Sequence, residues 1–318
     1  MNNLKKIGLT ALGTAMISTG AHAASMDVSG ATSIFFNGED NSVKGNGWSM
    51  TDSVTFAASG EMDNGWSVST SLEVDGAEGL NGANAGRSID VTIDDLKITF
   101  AGRGGSGPIG AWDDVTPSAN EEAHGVAVAG TATGATSDAG DANMFIFDYT
   151  AMDGVALKAS YNPSNGATAD ESSHELGILY TGVDGLSIYL ATGENNDDAD
   201  GTTLGQVETM NMAVKYAAGS FTVGYQANEV DSTVANKDRD FTAVGLSYAV
   251  SDDLSISVNQ SNVDYEDSSL DDQEAQGFSA SYTSGGLTVS ASHSAIDNVA
   301  GTTTADNNGY EINFAFAF

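Results

Sequence analysis

Cysteine is absent from the 318-residue chain, and proline occurs only at Pro108, Pro117 and Pro163. The first absence excludes disulfides, thiolate chemistry and cysteine metal sites. The second leaves the backbone N–H groups available for long hydrogen-bonded ladders. Bases are scarce as well: 10 Lys and Arg stand against 44 Asp and Glu, a formal charge of -34, which argues against nucleic acid as a partner and for cations. No internal apolar run reaches the ~20 residues that a membrane-spanning helix needs. What is abundant is Gly, Ser, Thr, Asn and Asp, a vocabulary of strands and turns.

Lys5 and Lys6 precede an apolar run from Ile7 to Gly20, and Ala21-His22-Ala23 supplies the small residues of a cleavage site. Residues 1–23 therefore read as an export signal and residues 24–318 as the mature chain. Losing the two lysines shifts the formal charge from -34 to -36.

The mature chain is built of period-two segments that recur roughly every 18 residues. Large apolar side chains take one parity, as in Val54, Phe56 and Ala58, in Met210, Met212, Val214 and Tyr216, or in Leu254, Ile256 and Val258. Small, polar or charged residues take the other. Sixteen such segments can be read. Seven connections are short, for example Asp94-Asp95, and eight are long and acidic, for example Glu194 to Gly201 and Tyr265 to Glu274. Strict alternation of short and long connections predicts an all-β, up-and-down antiparallel sheet with two chemically different ends.

Trp66, Tyr149, Tyr180, Tyr216, Tyr248 and Tyr282 sit near the short turns, as an interfacial aromatic girdle requires. The chain ends with Tyr310, Ile312, Phe314, Phe316 and Phe318 on one face, a stripe that water would not tolerate. Together these features predict a sixteen-stranded antiparallel transmembrane β-barrel, wide enough to hold water. A secreted, soluble, acidic β-protein such as an adhesin or surface-layer component would explain the charge, but not the terminal stripe or the alternating connections.

On these residues the chain resembles a general diffusion porin of the Gram-negative outer membrane, most similar to the alphaproteobacterial type. The resemblance rests on Met26-Asp27-Val28-Ser29-Gly30, on Phe56 to Val74, on the hairpin Asp90 to Gly102 and on Tyr310 to Phe318. The last of these resembles the signal read by the barrel-assembly machinery. The resemblance implies a homotrimer, contact with outer-membrane lipid and lipopolysaccharide, and no enzymatic activity or required cofactor. It also implies passive diffusion of small hydrophilic solutes and ions; a substrate-specific channel is the alternative within the same fold.

In porins the third long loop folds inward and narrows the bore, and here the interruption between Ala101 and Met144 falls at that place. Its carboxylates Asp113, Asp114, Glu121 and Glu122 are the candidates for the constriction. By parity Glu73, Asp90, Lys97, Asp148, Lys158, Lys215 and Glu311 line the lumen. No arginine ladder is visible, a departure from the strongest family pattern. The excess of carboxylates predicts a preference for cations that weakens with salt.

Other motifs carry less. Gly102-Arg103-Gly104-Gly105-Ser106-Gly107 matches GxGxxG, but a dinucleotide site needs a helix next and Pro108-Ile109-Gly110 follows. Asn196, Asp198 and Asp200 resemble the start of a calcium loop on an external connection, although Val207 stands where the closing Glu belongs. His124, His174 and His293 are too scattered for a catalytic arrangement. Asp52 shares outward parity with Val54 and Phe56, which is costly unless it lies above the hydrocarbon, at a bulge or in a trimer contact.

Overall fold

The computed structural model describes residues 22–39, 47–76, 86–125, 140–163, 171–196 and 205–318. Residues 1–21 of the expected export signal, and Asp198 and Asp200, lie outside the described residues. The first eight strands are β1 (His22–Glu39), β2 (Trp48–Glu61), β3 (Ser67–Asp75), β4 (Arg87–Ile93), β5 (Leu96–Arg103), β6 (Met144–Met152), β7 (Val155–Asn162) and β8 (Ser173–Val183). The next eight are β9 (Leu186–Asn195), β10 (Val207–Ala218), β11 (Phe221–Ser232), β12 (Arg239–Ala249), β13 (Leu254–Tyr265), β14 (Gln273–Ser284), β15 (Leu287–Asp297) and β16 (Asn307–Ala317). One helical turn, α1 (Pro108–Ala111), lies in the β5–β6 connection.

Each strand pairs antiparallel with its chain neighbours, and β1 pairs with β16, so the sheet closes into a sixteen-stranded barrel. Closure leaves no free edge, the condition a sheet must meet inside hydrocarbon. The seam runs from Ala31 opposite Ala317 to Glu39 opposite Gly309. It is extended by Phe318, whose N–H donates to Gly30 O at 3.1 Å while Gly30 N–H donates to Phe318 O at 2.8 Å. The Phe318 ring lies over Gly30, where an added Cβ would stand 2.6 Å from it, and the Tyr310 ring covers Gly38 in the same way. Glycine in β1 therefore makes the room that the aromatic stripe of β16 fills.

The burial pattern is that of a water-soluble protein turned inside out. Val28, Leu176, Met210 and Met212 are exposed on the outer face. Ser279, Ser294, Asn211 and Gln226 are buried on the inner one. Such a distribution is stable only where lipid meets the outside. Trp66, Tyr149, Tyr216 and Tyr282 face outward near the short turns, and Phe36, Trp48 and Tyr310 cluster outward near the long connections, with Phe36 5.2 Å from Trp48 and 5.9 Å from Tyr310. These are the two interfacial girdles. Asp52 finds its place by strand length. The last β2–β3 pair is Ser53 with Asp75, so Asp52 lies just past the end of β3, beside Gly76 at the rim.

Candidate pore constriction

The β5–β6 connection follows the inner wall in order of strand number. Ile109 N–H donates to Glu175 Oε2 on β8 at 3.1 Å. Trp112 O accepts from Asn211 on β10 and from Gln226 on β11, and its ring meets Tyr189 of β9 edge-on at 5.7 Å. Val115 N–H donates back to Gln226 Oε1 at 3.1 Å. Ala119 N–H reaches Ser257 Oγ on β13 at 2.9 Å and Ser279 Oγ on β14 at 3.2 Å. Asn120 Nδ2 donates to Ser292 Oγ on β15 at 2.8 Å and Glu311 Oε1 on β16 at 2.9 Å. All these partners have inward parity, so the loop crosses the lumen side of half the barrel.

Inward glycines give the loop its clearance. A Cβ at Gly224 would stand 2.5 Å from Pro117 Cδ, one at Gly245 2.7 Å from Pro117 O, and one at Gly277 2.8 Å from Ala123 Cα. Small apolar clusters fill the gap between loop and wall. Ile109 and Trp112 pack on Ala191, while Ala123 packs on Ala275, Ile296 and Val299.

Of the four loop carboxylates, the structure brings together Asp114, Glu121 and Glu122, with Glu311 of the wall beside them. Burial, then the neighbouring Glu311 and Asp114, push Glu121 up to about 7. Burial and a side-chain hydrogen bond with Asp114 push Glu122 up to about 9, so the Asp114–Glu122 pair holds a proton at neutral pH. His124, packed on the Phe241 ring at 5.2 Å, is held below its ordinary value by burial, against the opposing pull of Asp114. The backbone carbonyl of the fourth, Asp113, accepts from Gln226 on the wall.

The wall charges fall into two groups. Across β4 to β7 they alternate in sign: Lys97 Nζ lies 4.0 Å from Asp90 and 3.9 Å from Asp148, and Lys158 Nζ lies 3.1 Å from Asp148. Thr99 and Ser69 also donate to Asp90. Lys215 stands apart on β10, its Nζ 5.8 Å from the centre of the Tyr189 ring. Glu73 takes its inward place on β3, beside Gly86. Below the loop a cavity of about 690 Å³ is lined by Asp114, Glu122, Lys215, Thr181, Thr222 and Ser247.

The glycine-rich motif requires a correction. A helical turn, Pro108–Ala111, does follow Gly107, against expectation. It has only four residues, and the Ile109 N–H at its start is taken by the Glu175 carboxylate, so it presents no phosphate cradle. Among the described residues no group of three or more His, Asp or Glu is placed to hold a metal ion. Asn196 spends its amide on Ser172 O at 3.0 Å. The histidines stay apart: His174 lies 3.9 Å from Glu194 on the outer face, and His293 faces outward opposite Phe278 and Tyr310.

A closed sixteen-stranded barrel with an apolar exterior and a polar, loop-narrowed interior defines an outer-membrane β-barrel of the pore-forming class. The chain belongs to the Gram-negative porin family, whose model matches residues 8–273. Comparison with curated protein sequences finds no match. Among solved structures, the in-vitro folded OmpT of Vibrio cholerae in its trimer form is similar at a TM-score of 0.69 and 15% identity, covering 93% of this chain and 100% of that one. An anion-selective porin from Comamonas acidovorans gives 0.66 and 12%, with 93% and 100% covered. A triple mutant of the Rhodopseudomonas blastica porin gives 0.65 and 14%, with 92% and 100% covered. At these identities the likeness is one of fold. The family points to a channel rather than to an enzyme.

Proposed function

We propose that the protein is a homotrimeric porin through which small hydrophilic solutes and ions diffuse passively, with a preference for cations. The observation that carries this reading is the carboxylate group of the inserted loop. Glu121 lies beside Glu311 and Asp114, and Glu122 is hydrogen-bonded to Asp114, while Lys97 and Lys158 are spent in ion pairs with Asp90 and Asp148. A cation passing the loop meets a net negative charge that Lys215 only partly offsets; an anion is repelled by it. The fold leaves the sign open, since the similar Comamonas protein is described as anion-selective. The sign therefore rests on these side chains.

In the cell the chain is exported by its first 23 residues, and the Tyr310 to Phe318 stripe addresses it to the barrel-assembly machinery. The finished barrel contacts outer-membrane lipid and lipopolysaccharide, and the loop of Asn196, Asp198 and Asp200 is its candidate for a loosely bound calcium ion. Reversal potentials in planar bilayers under a potassium chloride gradient test the central claim. Cation selectivity at low salt, shrinking toward 1 M as the screening length falls to ~3 Å, supports it. Anion selectivity at low salt sinks it.

A further inference from the structure

The lipid-facing side of the barrel sinks in one place. Across β8 to β12 a register row reads Ile178, Leu190, Met212, Ala227 and Thr242, each directly opposite the next. Large side chains give way there to an alanine and a threonine, and a groove of about 610 Å³ opens over β8 to β13. The next row toward the long connections reads Met210, Glu229, Asp240 and Asp264. Its three carboxylates line the same groove and are exposed. Directly opposed residues stand on the order of 5 Å apart at Cβ, and like charges so placed repel unless a cation covers them. Among the described residues no base of the chain does so. Lys215 and Arg239, on β10 and β12, have inward parity, Lys237 lies beside Asp267, and His174 of the outer face has Glu194 at 3.9 Å.

We propose that this groove seats a lipid whose headgroup carries a free ammonium and no phosphate, its acyl chain on Ala227 and Thr242 and its ammonium on Glu229, Asp240 and Asp264. The groove supplies apolar contact within the lipid-facing band, and the row above it supplies the charge that selects the head. A phosphate-headed lipid has the same chain contact and is repelled at the row. A second copy of the chain matches less well: Arg87 on β4 is the one strand base of outward parity among the described residues, against three carboxylates. The inference rests on the lipid contact proposed above and is independent of the ion selectivity.

The test is electron spin resonance of the protein in phosphatidylcholine vesicles that contain nitroxide-labelled stearylamine or its uncharged counterpart, nitroxide-labelled methyl stearate. The motionally restricted fraction measures each probe's association with the barrel. Each variant is first checked for the heat-dependent gel shift of a folded barrel. Wild type is expected to hold the amine about fivefold more strongly than the ester, the upper end of what an exposed ion pair contributes. Glu229→Gln with Asp240→Asn, and separately Ala227→Phe, which fills the groove and leaves every charge in place, should each bring that ratio below about twofold. Asp52→Asn with Asp297→Asn removes equal charge outside the groove and should keep the wild-type ratio. Equal association of the two probes with wild type, an equal loss in the Asp52 and Asp297 pair, or indifference to Ala227→Phe overturns the site. So does displacement of the amine by nitroxide-labelled phosphatidic acid with calcium, which makes the row a seat for a cation-bridged phosphate. Loss of the oligomer band in Ala227→Phe also overturns it, since the groove is then a contact between copies. A restricted ester signal in wild type supports the lipid contact itself; its absence sinks that contact and the groove with it.

Discussion

Acidification from pH 8 to pH 6 should remove most of the cation preference that depends on Glu121. Burial and the adjacent Glu311 and Asp114 raise this carboxyl from 4.5 to about 7. It is therefore about ten to one ionised at pH 8 and about ten to one protonated at pH 6. Asn120, bonded to Glu311, and the protonated Glu122 complete its surroundings, with His124 at the end of the same turn. One unit charge acting through water at ~8 Å changes an ion's energy by about 0.5 kcal/mol. The effect has opposite sign for cation and anion, so the permeability ratio should fall roughly fivefold in the low-salt limit and about twofold at 0.1 M, where the ~10 Å screening length roughly halves the energy. The assay is the reversal potential under a potassium chloride gradient, stepped through that pH range. Glu121→Gln should show the wild-type low-pH selectivity throughout, with a flat profile. A wild-type profile that is flat between pH 6 and 8, or a Glu121→Gln profile that still bends near 7, refutes the assignment. Loop docking follows the same sign. Because the folded value exceeds 4.5, the folded state holds its proton more tightly, and docking weakens as the pH rises from 4.5 through 7.

Gln226→Leu should loosen the loop by about 2–3 kcal/mol, since its amide serves Trp112 O, Asp113 O and Val115 N–H at ~1 kcal/mol each. Single-channel recordings should then show flickering between conductance levels, and a trace as quiet as wild type counts against the loop being pegged there. Gly224→Val should force Pro117 off the wall at a cost of about 1–3 kcal/mol, altering the conductance of a barrel that still folds; unchanged conductance refutes the close approach. Gly30→Val should obstruct the Phe318 ring and lower the fraction of chains that reach the heat-modifiable form, read on unheated gels. Normal yield of that form removes the seam glycine from the closing step.

All sixteen strands are legible in the sequence, because period two with lipid on one side and water on the other leaves a strong imprint. The ends are less so: Val250 keeps the outward parity of Val244, Leu246 and Tyr248 although the strand stops at Ala249, and Trp66 keeps that of Val68 and Leu72 although β3 begins at Ser67. Asp52 looked anomalous only because the sequence does not reveal that β3 stops opposite Ser53. Within the constriction, the loop carboxylates are visible as a group. Their wall partners are not: Asn211, Gln226, Ser257, Ser279 and Ser292 are polar residues of inward parity, indistinguishable from others that merely face water. The glycines at inward parity, Gly177, Gly224, Gly245 and Gly277, were the usable signal, since a lumen wall has no reason to shed side chains unless something lies against it. The pairing of Lys97 and Lys158 with the wall aspartates depends on register across β4 to β7, which parity alone does not give.

Register also changes what the net charge means. On the outer face near the long connections, Glu194 is opposite Glu208, Glu208 opposite Asp231, Glu229 opposite Asp240, Asp240 opposite Asp264, and Glu274 opposite Asp297. These carboxylates share parity with lipid-facing residues such as Met210 and Leu246, and they are exposed. They lie outside the bore, where a Debye length of ~8–10 Å screens them from an ion within it. The formal charge of -34 therefore says little about selectivity. Among the described residues, what an ion meets inside is a row of charges on β4 to β7 that cancels, one lysine over Tyr189, the wall carboxylates Glu73 and Glu311, and a short loop segment whose acids partly hold their protons. So small an inner balance can be tipped by one residue or by one pH unit, which an evenly acidic lumen would resist. A selectivity that moved in proportion to changes in the outer carboxylates would contradict this account.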